Sequence, residues 1–210
     1  MLTLGISTSS GQFALVLGED GKMIYNSNEF DINNELDDML SDALKSCRKE
    51  MKDITDIIVD IGPGGTSRVR TGVAFANSLS YASNIQVHPV SSMELAGVDA
   101  WSKHNRPVIA TVKSIKGNAY IGLYNEGQVT IKYGPIEGIA EMTENLSEFA
   151  VVGFHRDAIM NLPSLKNKTI IDTGMLFGDV IFFIEKEELF KKREGIKFPY
   201  FAQPVTENTI

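Results

Sequence analysis

Ile57-Ile58-Val59-Asp60-Ile61, then Gly62-Pro63-Gly64-Gly65, then Thr66-Ser67-Arg68-Val69-Arg70-Thr71-Gly72-Val73-Ala74-Phe75-Ala76 joins a short apolar run, a glycine corner and a helical period. A brief apolar run stopped by turn residues reads as a buried strand over 57–61. The helix after the corner starts at Thr66 or Ser67 and continues to about Ala82. Strand, sharp corner and helix form the repeating step of an α/β fold. Downstream, 85–90 reads as a further strand and 92–101 as a helix capped by Ser91 or Ser92, with Asn105-Arg106-Pro107 as a connector.

Upstream, Leu2, Leu4 and Ile6 alternate with polar or small residues, and apolar runs return at 13–17 and 22–26. The breaks at 9–11 and at Glu19-Asp20-Gly21 are turn chemistry, so a three-stranded antiparallel meander opens the chain. Residues 35–51 change period: Leu36, Met39, Leu40, Ala43, Leu44, Cys47 and Met51 fall on one helical face. Acidic residues lead this helix and basic ones close it, as the macrodipole favours, and Asn33 or Asn34 can cap it. After Pro107 the pattern restarts, with strands at 108–112, 119–124 and 128–133, a polar helical stretch at 136–146, strands at 149–154 and 169–171, and a helix over 175–192. The second half thus repeats the first. The expected architecture is α/β with two duplicated lobes, 1–106 and 107–210, each a mixed sheet covered by helices.

Composition bounds the function. Of 210 residues, 43% are hydrophobic and 22% charged, an ordinary folded chain. A net charge of −7 repels phosphate backbones on average, so any grip on nucleic acid is expected to come from a partner. No basic residue precedes Lys22, and the apolar stretch near the end is broken by Asp179, so neither a leader nor a membrane span is expected and the location is taken as cytoplasmic. Cys47 is alone, which excludes an intrachain disulfide and a multi-thiolate metal site.

The glycine corner admits two readings. Amides of Gly62, Gly64 and Gly65 at a helix N-terminus, reinforced by Arg68 and Arg70, can hold an anion; equally, the glycines can be a structural turn. No Lys lies between Lys52 and Lys103, so it is not a P-loop, and Ser67 stands where a dinucleotide fingerprint needs its third glycine. The following helix carries no charge from Thr71 to Gln86, with Gly72, Ala76 and Ser80 spaced by four beside Val69, Val73 and Asn77. Such a helix is buried on two sides, within its own domain or against another subunit. His88, His104 and His155 are too scattered for a helix-borne metal site, no GxSxG elbow occurs, and Cys47 reads as a core hydrophobe. The mixed charges of 185–194 read as a solvated helix face.

Leu4-Gly5-Ile6-Ser7-Thr8-Ser9-Ser10, Asn34-Glu35-Leu36-Asp37-Asp38-Met39-Leu40, the 61–74 segment and Pro199-Tyr200-Phe201 together resemble the bacterial TsaB (YeaZ) family. The resemblance implies the actin-like, Hsp70-like ATPase fold and a subunit with no catalytic or metal residues of its own. It implies a TsaD-like partner that carries ATP and metal and transfers threonylcarbamoyl to a tRNA adenosine, a TsaE-like ATPase that binds the pair, a homodimer when the partner is absent, and only indirect contact with tRNA. The two first-lobe helices form the family's interface, so Leu36, Met39, Leu40, Val69, Val73, Ala76, Asn77 and Ser80 are the expected partner-facing residues. The chain departs from the family at Ser7, where Asp is usual, at Asn33-Asn34-Glu35 for His-Ser-Glu, at Arg68 for Gly, and at Lys113-Ser114-Ile115 for Asp-Ala-Arg. The alternative function is a small-molecule phosphotransferase or ATPase of the same fold; it requires a metal-orienting carboxylate near Ser7. A metalloprotease fails on the three scattered histidines.

Overall fold

The computed structural model describes residues 1–9, 13–27, 35–114, 117–174, 202–206 and 210. The first sheet contains β1 (Leu2–Ser7), β2 (Ala14–Glu19), β3 (Lys22–Ser27), β4 (Ile54–Asp60) and β5 (Gln86–Val90), in the order β3-β2-β1-β4-β5. β1 pairs antiparallel with β2 and parallel with β4, and β4 runs parallel to β5. The meander and the crossovers expected from the sequence therefore form one mixed sheet. Helices α1 (Leu36–Cys47) and α2 (Thr66–Ser83) cover the same face of it, α1 over β2 and β3 and α2 over β1, β4 and β5.

The alternation of β1 and β4 explains that core. Leu2, Leu4, Ile6, Ile57 and Val59 point to the helix face and meet Leu36, Met39, Leu40, Val69, Val73 and Ala76. Helix α1 ends four residues earlier than its apolar period, because Arg48 turns left-handed at φ 55° and its amide bonds back to Leu44 and Lys45. The expected cap at Asn33 or Asn34 lies outside the described residues.

The second sheet contains β6 (Val108–Lys113), β7 (Asn118–Asn125), β8 (Gln128–Pro135), β9 (Glu148–Gly153) and β10 (Thr169–Asp172), in the order β10-β9-β6-β7-β8. Read from the meander side, this is the order of the first sheet, so the duplication inferred from the sequence holds strand for strand. The expected helix over 136–146 is a single 3-10 turn at Ile136–Gly138 followed by α4 (Ile139–Met142), and a short α5 (Arg156–Met160), not anticipated, follows β9. Ile139, Ile159 and Leu165 pack on Ile109, Ile121, Phe149 and Val151. The expected helix over 175–192 lies outside the described residues.

The two compact units divide at Ser91 and Ser92, whereas the sequence suggested 106 and 107. Helix α3 (Ser92–His104) packs on β6, β7 and β9 and belongs with the second sheet. A Cβ on Gly97 would stand 2.4 Å from Tyr124 Cβ, and one on Gly122 would stand 2.7 Å from Met93 Cβ, so bare backbone lets helix and strand approach. Trp101 and Tyr124 add an edge-to-face contact with centroids 6.0 Å apart. The chain also returns to the first unit: Ala202 exchanges two 3.1 Å hydrogen bonds with the Asn77 side chain, and the Val205 amide donates to Ile61 O at 2.7 Å.

Candidate functional site

Parallel pairing of β1 with β4 places Ser7 beside Asp60, at the carboxyl edge of the first sheet and on the face opposite the helices. The Asp60 side chain is buried, accepts from Ser7 Oγ at 2.8 Å and from Ser9 Oγ, and also takes the Gly62 amide at 2.9 Å. Gly62 adopts φ +86°, a left-handed turn that lets the chain leave β4 and re-enter as α2. The β1–β2 turn is then fastened to the start of that helix. Thr8 Oγ1 donates to Arg68 O at 2.8 Å, and the Gly65 amide donates to Ser9 O at 3.3 Å.

Two glycines make this closure possible. A Cβ on Gly64 would lie 2.6 Å from both Ser9 Cβ and Ser9 O, and a Cβ on Gly72 would lie 2.5 Å from Thr8 Oγ1. Ser9 and Thr8 therefore stand directly against the corner and the helix. Of the expected anion-binding group, Gly62 and Gly64 are packed by the chain's own residues, the Gly65 amide is taken by Ser9, and the Arg68 and Arg70 side chains are exposed. The Asp60 carboxylate thus serves two hydroxyls and an amide of the chain itself. Among the described residues no cluster of three or more His, Cys, Asp or Glu is placed to hold a metal ion.

The eight expected interface residues are largely engaged within their own unit. Leu36, Met39, Leu40, Val69, Val73 and Ala76 are buried in the core of their own unit, with Ala76 at 0% exposure. Ser80 is buried and donates to Ile85 O at 2.6 Å, and Asn77 holds Ala202. The outer face of α2 is instead Ser67, Thr71, Ala74, Ser78 and Tyr81, with Tyr81 64% exposed and Phe75 and Leu79 half-buried along its flank. Both faces of this helix consist of small or uncharged residues, so the pattern showed that the helix lacked charge without showing which stripe faced inward.

The histidines stay apart in role. His88 is buried and bonds Asp56 Oδ1 at 2.9 Å between β5 and β4. His155 begins α5 in the second unit. Cys47 is half-buried and its Sγ approaches Ile24 O at 3.7 Å; burial, partly offset by Lys49, pushes its thiol up, as for an unreactive core residue. Sequence reasoning missed the Ser7–Ser9–Asp60 cluster. Its signal was present in the two hydroxyls at the end of β1 and the carboxylate at the end of β4, which only strand pairing brings together.

Comparison with known proteins agrees with this geometry. Residues 32–177, more than half of the chain, match the family model of TsaD, tRNA N6-adenosine threonylcarbamoyltransferase. A tRNA threonylcarbamoyladenosine biosynthesis protein TsaB of Bacillus subtilis is 32% identical over 82 residues, 39% of this chain and 35% of that protein. A TsaB of Buchnera aphidicola is 26% identical over 109 residues, 51% of this chain and 49% of that protein. The chain thus spans only a third to a half of the curated relatives it matches. In structure, YeaZ from Pseudomonas aeruginosa superposes with a TM-score of 0.78 at 17% identity, covering 98% of this chain and 99% of that one, which shows a common two-lobed fold. With the family model matched across the corner, α2 and the second sheet, the chain belongs to the TsaD family.

Proposed function

We propose that the chain is the non-catalytic, TsaB-type subunit for threonylcarbamoyladenosine formation in tRNA, acting in the cytoplasm by pairing with a TsaD-type catalytic subunit. In this reading ATP and metal sit on that partner, a TsaE-type ATPase joins the pair, the chain forms a homodimer when alone, and tRNA is met only through the complex. The observation that carries the reading is the first-unit edge. Asp60 accepts from Ser7, Ser9 and the Gly62 amide, and Ser9 stands against Gly64, so among the described residues this carboxylate and this glycine corner are engaged by the chain's own groups.

The docking surface in this reading is the outer face of α2, on Ser67, Thr71, Ala74, Ser78 and Tyr81. Small side chains there let a partner helix approach closely, half-buried Phe75 and Leu79 add apolar area, and exposed Arg68 and Arg70 answer acidic groups on the partner. Reconstitution tests the proposal. A TsaD-type protein supplied with tRNA, ATP and threonylcarbamoyl donor is expected to modify tRNA only when this chain is added, and the chain alone is expected to show no turnover. Modification that proceeds equally without the chain, or ATP hydrolysis by the chain alone, overturns it.

A further inference from the structure

Among the described residues each sheet has two edge strands, β3 and β5 in the first and β10 and β8 in the second. Prolines, charges, bulges and short length are the usual means of keeping such an edge from recruiting another strand. β3 pairs with a register shift between Leu17 and Gly18, β5 is interrupted by Pro89, and β10 has only four residues and closes on Asp172. β8 is the least protected. It is eight residues long, and its register with β7 runs unbroken from Gln128 opposite Asn125 to Pro135 opposite Asn118. Its one charged residue, Lys132, is drawn to Glu141 at 3.0 Å.

The turn before β8 fixes which of its backbone groups face outward. Glu126 at φ 49° and Gly127 at φ 86° make a two-residue hairpin loop, so Asn125 and Gln128 form a hydrogen-bonded pair, and such pairs recur at every second residue. Gln128, Thr130, Lys132 and Gly134 therefore bond to β7, while the amides and carbonyls of Val129, Ile131 and Tyr133 face away from it. Pro135, which has no N–H, falls in the outward set, as this phase requires. Ile131 stands opposite Gly122, where a Cβ would meet Met93 of α3, so Val129, Ile131 and Tyr133 share the face that carries α3 and are half-buried there. Tyr133 is already held against Tyr120, with ring centroids 4.9 Å apart. Gln128, Thr130 and Lys132 are exposed on the other face.

This strand is complementary to itself. An antiparallel copy turned about Ile131 sets Ile131 against Ile131, Val129 against Tyr133 and Thr130 against Lys132, so a β-branched residue meets an aromatic and no like charges are opposed. The residues whose backbone groups face outward then fall opposite one another, in register to exchange both hydrogen bonds of each pair. We propose that the free edge of β8 is a self-association surface whose occupant is a second copy of this chain, paired antiparallel about Ile131 so that the second sheets of the two copies become one. The surface is separate from α2 and does not rest on the subunit role proposed above.

The test uses the full chain carrying Ala74→Glu, so that contacts through the outer face of α2 do not contribute. Sedimentation over a range of concentrations is expected to show a monomer–dimer equilibrium. Thr130 is exposed, so its replacement leaves the fold intact. Thr130→Lys opposes like charges at both ends of the pairing and is expected to weaken the dimer about tenfold, whereas Thr130→Glu faces Lys132 and is expected to strengthen it by a similar factor. In hydrogen exchange, dimerisation should slow the amides of Val129, Ile131 and Tyr133 and leave those of Thr130 and Lys132 unchanged, because the latter are bonded to β7 in either state. A chain that stays monomeric at every concentration, a dimer indifferent to the sign of the charge placed at 130, or protection without that alternation overturns the proposal.

Discussion

Asp60 and the glycines around it show how much one position can carry. Removing the carboxylate in Asp60→Ala leaves Ser7 Oγ, Ser9 Oγ and the Gly62 amide without their acceptor, and the expected loss is roughly 3 kcal/mol in urea unfolding with the slope unchanged. Gly72→Ala is more diagnostic, because in an open helix that change stabilises by about 1 kcal/mol. Here the new methyl would meet Thr8 Oγ1 at 2.5 Å, and Thr8 is itself tied to Arg68 O, so the sign reverses and about 1–3 kcal/mol is lost. Gly65→Ala, whose nearest neighbour would be Arg68 Cδ at 3.9 Å, is the control and should be nearly neutral. His155 supplies a pH dependence. The unfolded chain protonates it near pH ~6.5, whereas burial and Lys113 delay protonation of the folded chain to lower pH. The unfolded state therefore binds more protons below about pH 6.5, and stability falls as the pH drops through that window until the folded value is passed. Unfolding midpoints measured at pH 7 and pH 5 should differ less in His155→Gln than in the parent chain.

At the scale of the element, α2 separates two kinds of substitution on one helix. Ala76 is fully buried against the first sheet, so Ala76→Glu places a charge in the core and is expected to unfold the unit rather than test an interface. Ala74 is exposed, so Ala74→Glu should keep the melting temperature within a few degrees while abolishing co-elution with a TsaD-type protein. Retained co-elution would place the docking surface elsewhere. The helix itself was legible in the sequence from its corner to its end, since the described Thr66–Ser83 differs from the expected span by one residue. Its orientation was not legible, because Val69, Val73 and Ala76 on the inner side and Ala74, Ser78 and Thr71 on the outer side are equally free of charge.

For the whole molecule, the decisive feature is that α3 follows β5 in the chain yet packs on the second sheet. A fragment beginning at residue 107 would lack α3 and expose Gly122 and Tyr124, whereas one beginning at 92 keeps them covered. The shorter fragment is expected to bind the dye ANS and lose near-ultraviolet dichroism, and the longer one to retain its aromatic signal from Trp101 against Tyr124. Equal dye binding by the two would mean that the helix contributes nothing to the unit.

Local chemistry alone determined the strands, the first three helices, their order and the duplication of the sheets, but not the short helical turns of the second unit. Alternation, helical period and turn residues act between neighbours in the chain, and a lone Cys47 or three scattered histidines limit chemistry without any reference to folding. Tertiary structure decided which side of each helix is inside, where the units divide, and that Asp60 serves Ser7 and Ser9 across 53 and 51 residues of chain. Those outcomes depend on strand register and on close approach at glycine, which bring together groups distant in sequence and leave no periodic trace at any of the positions involved.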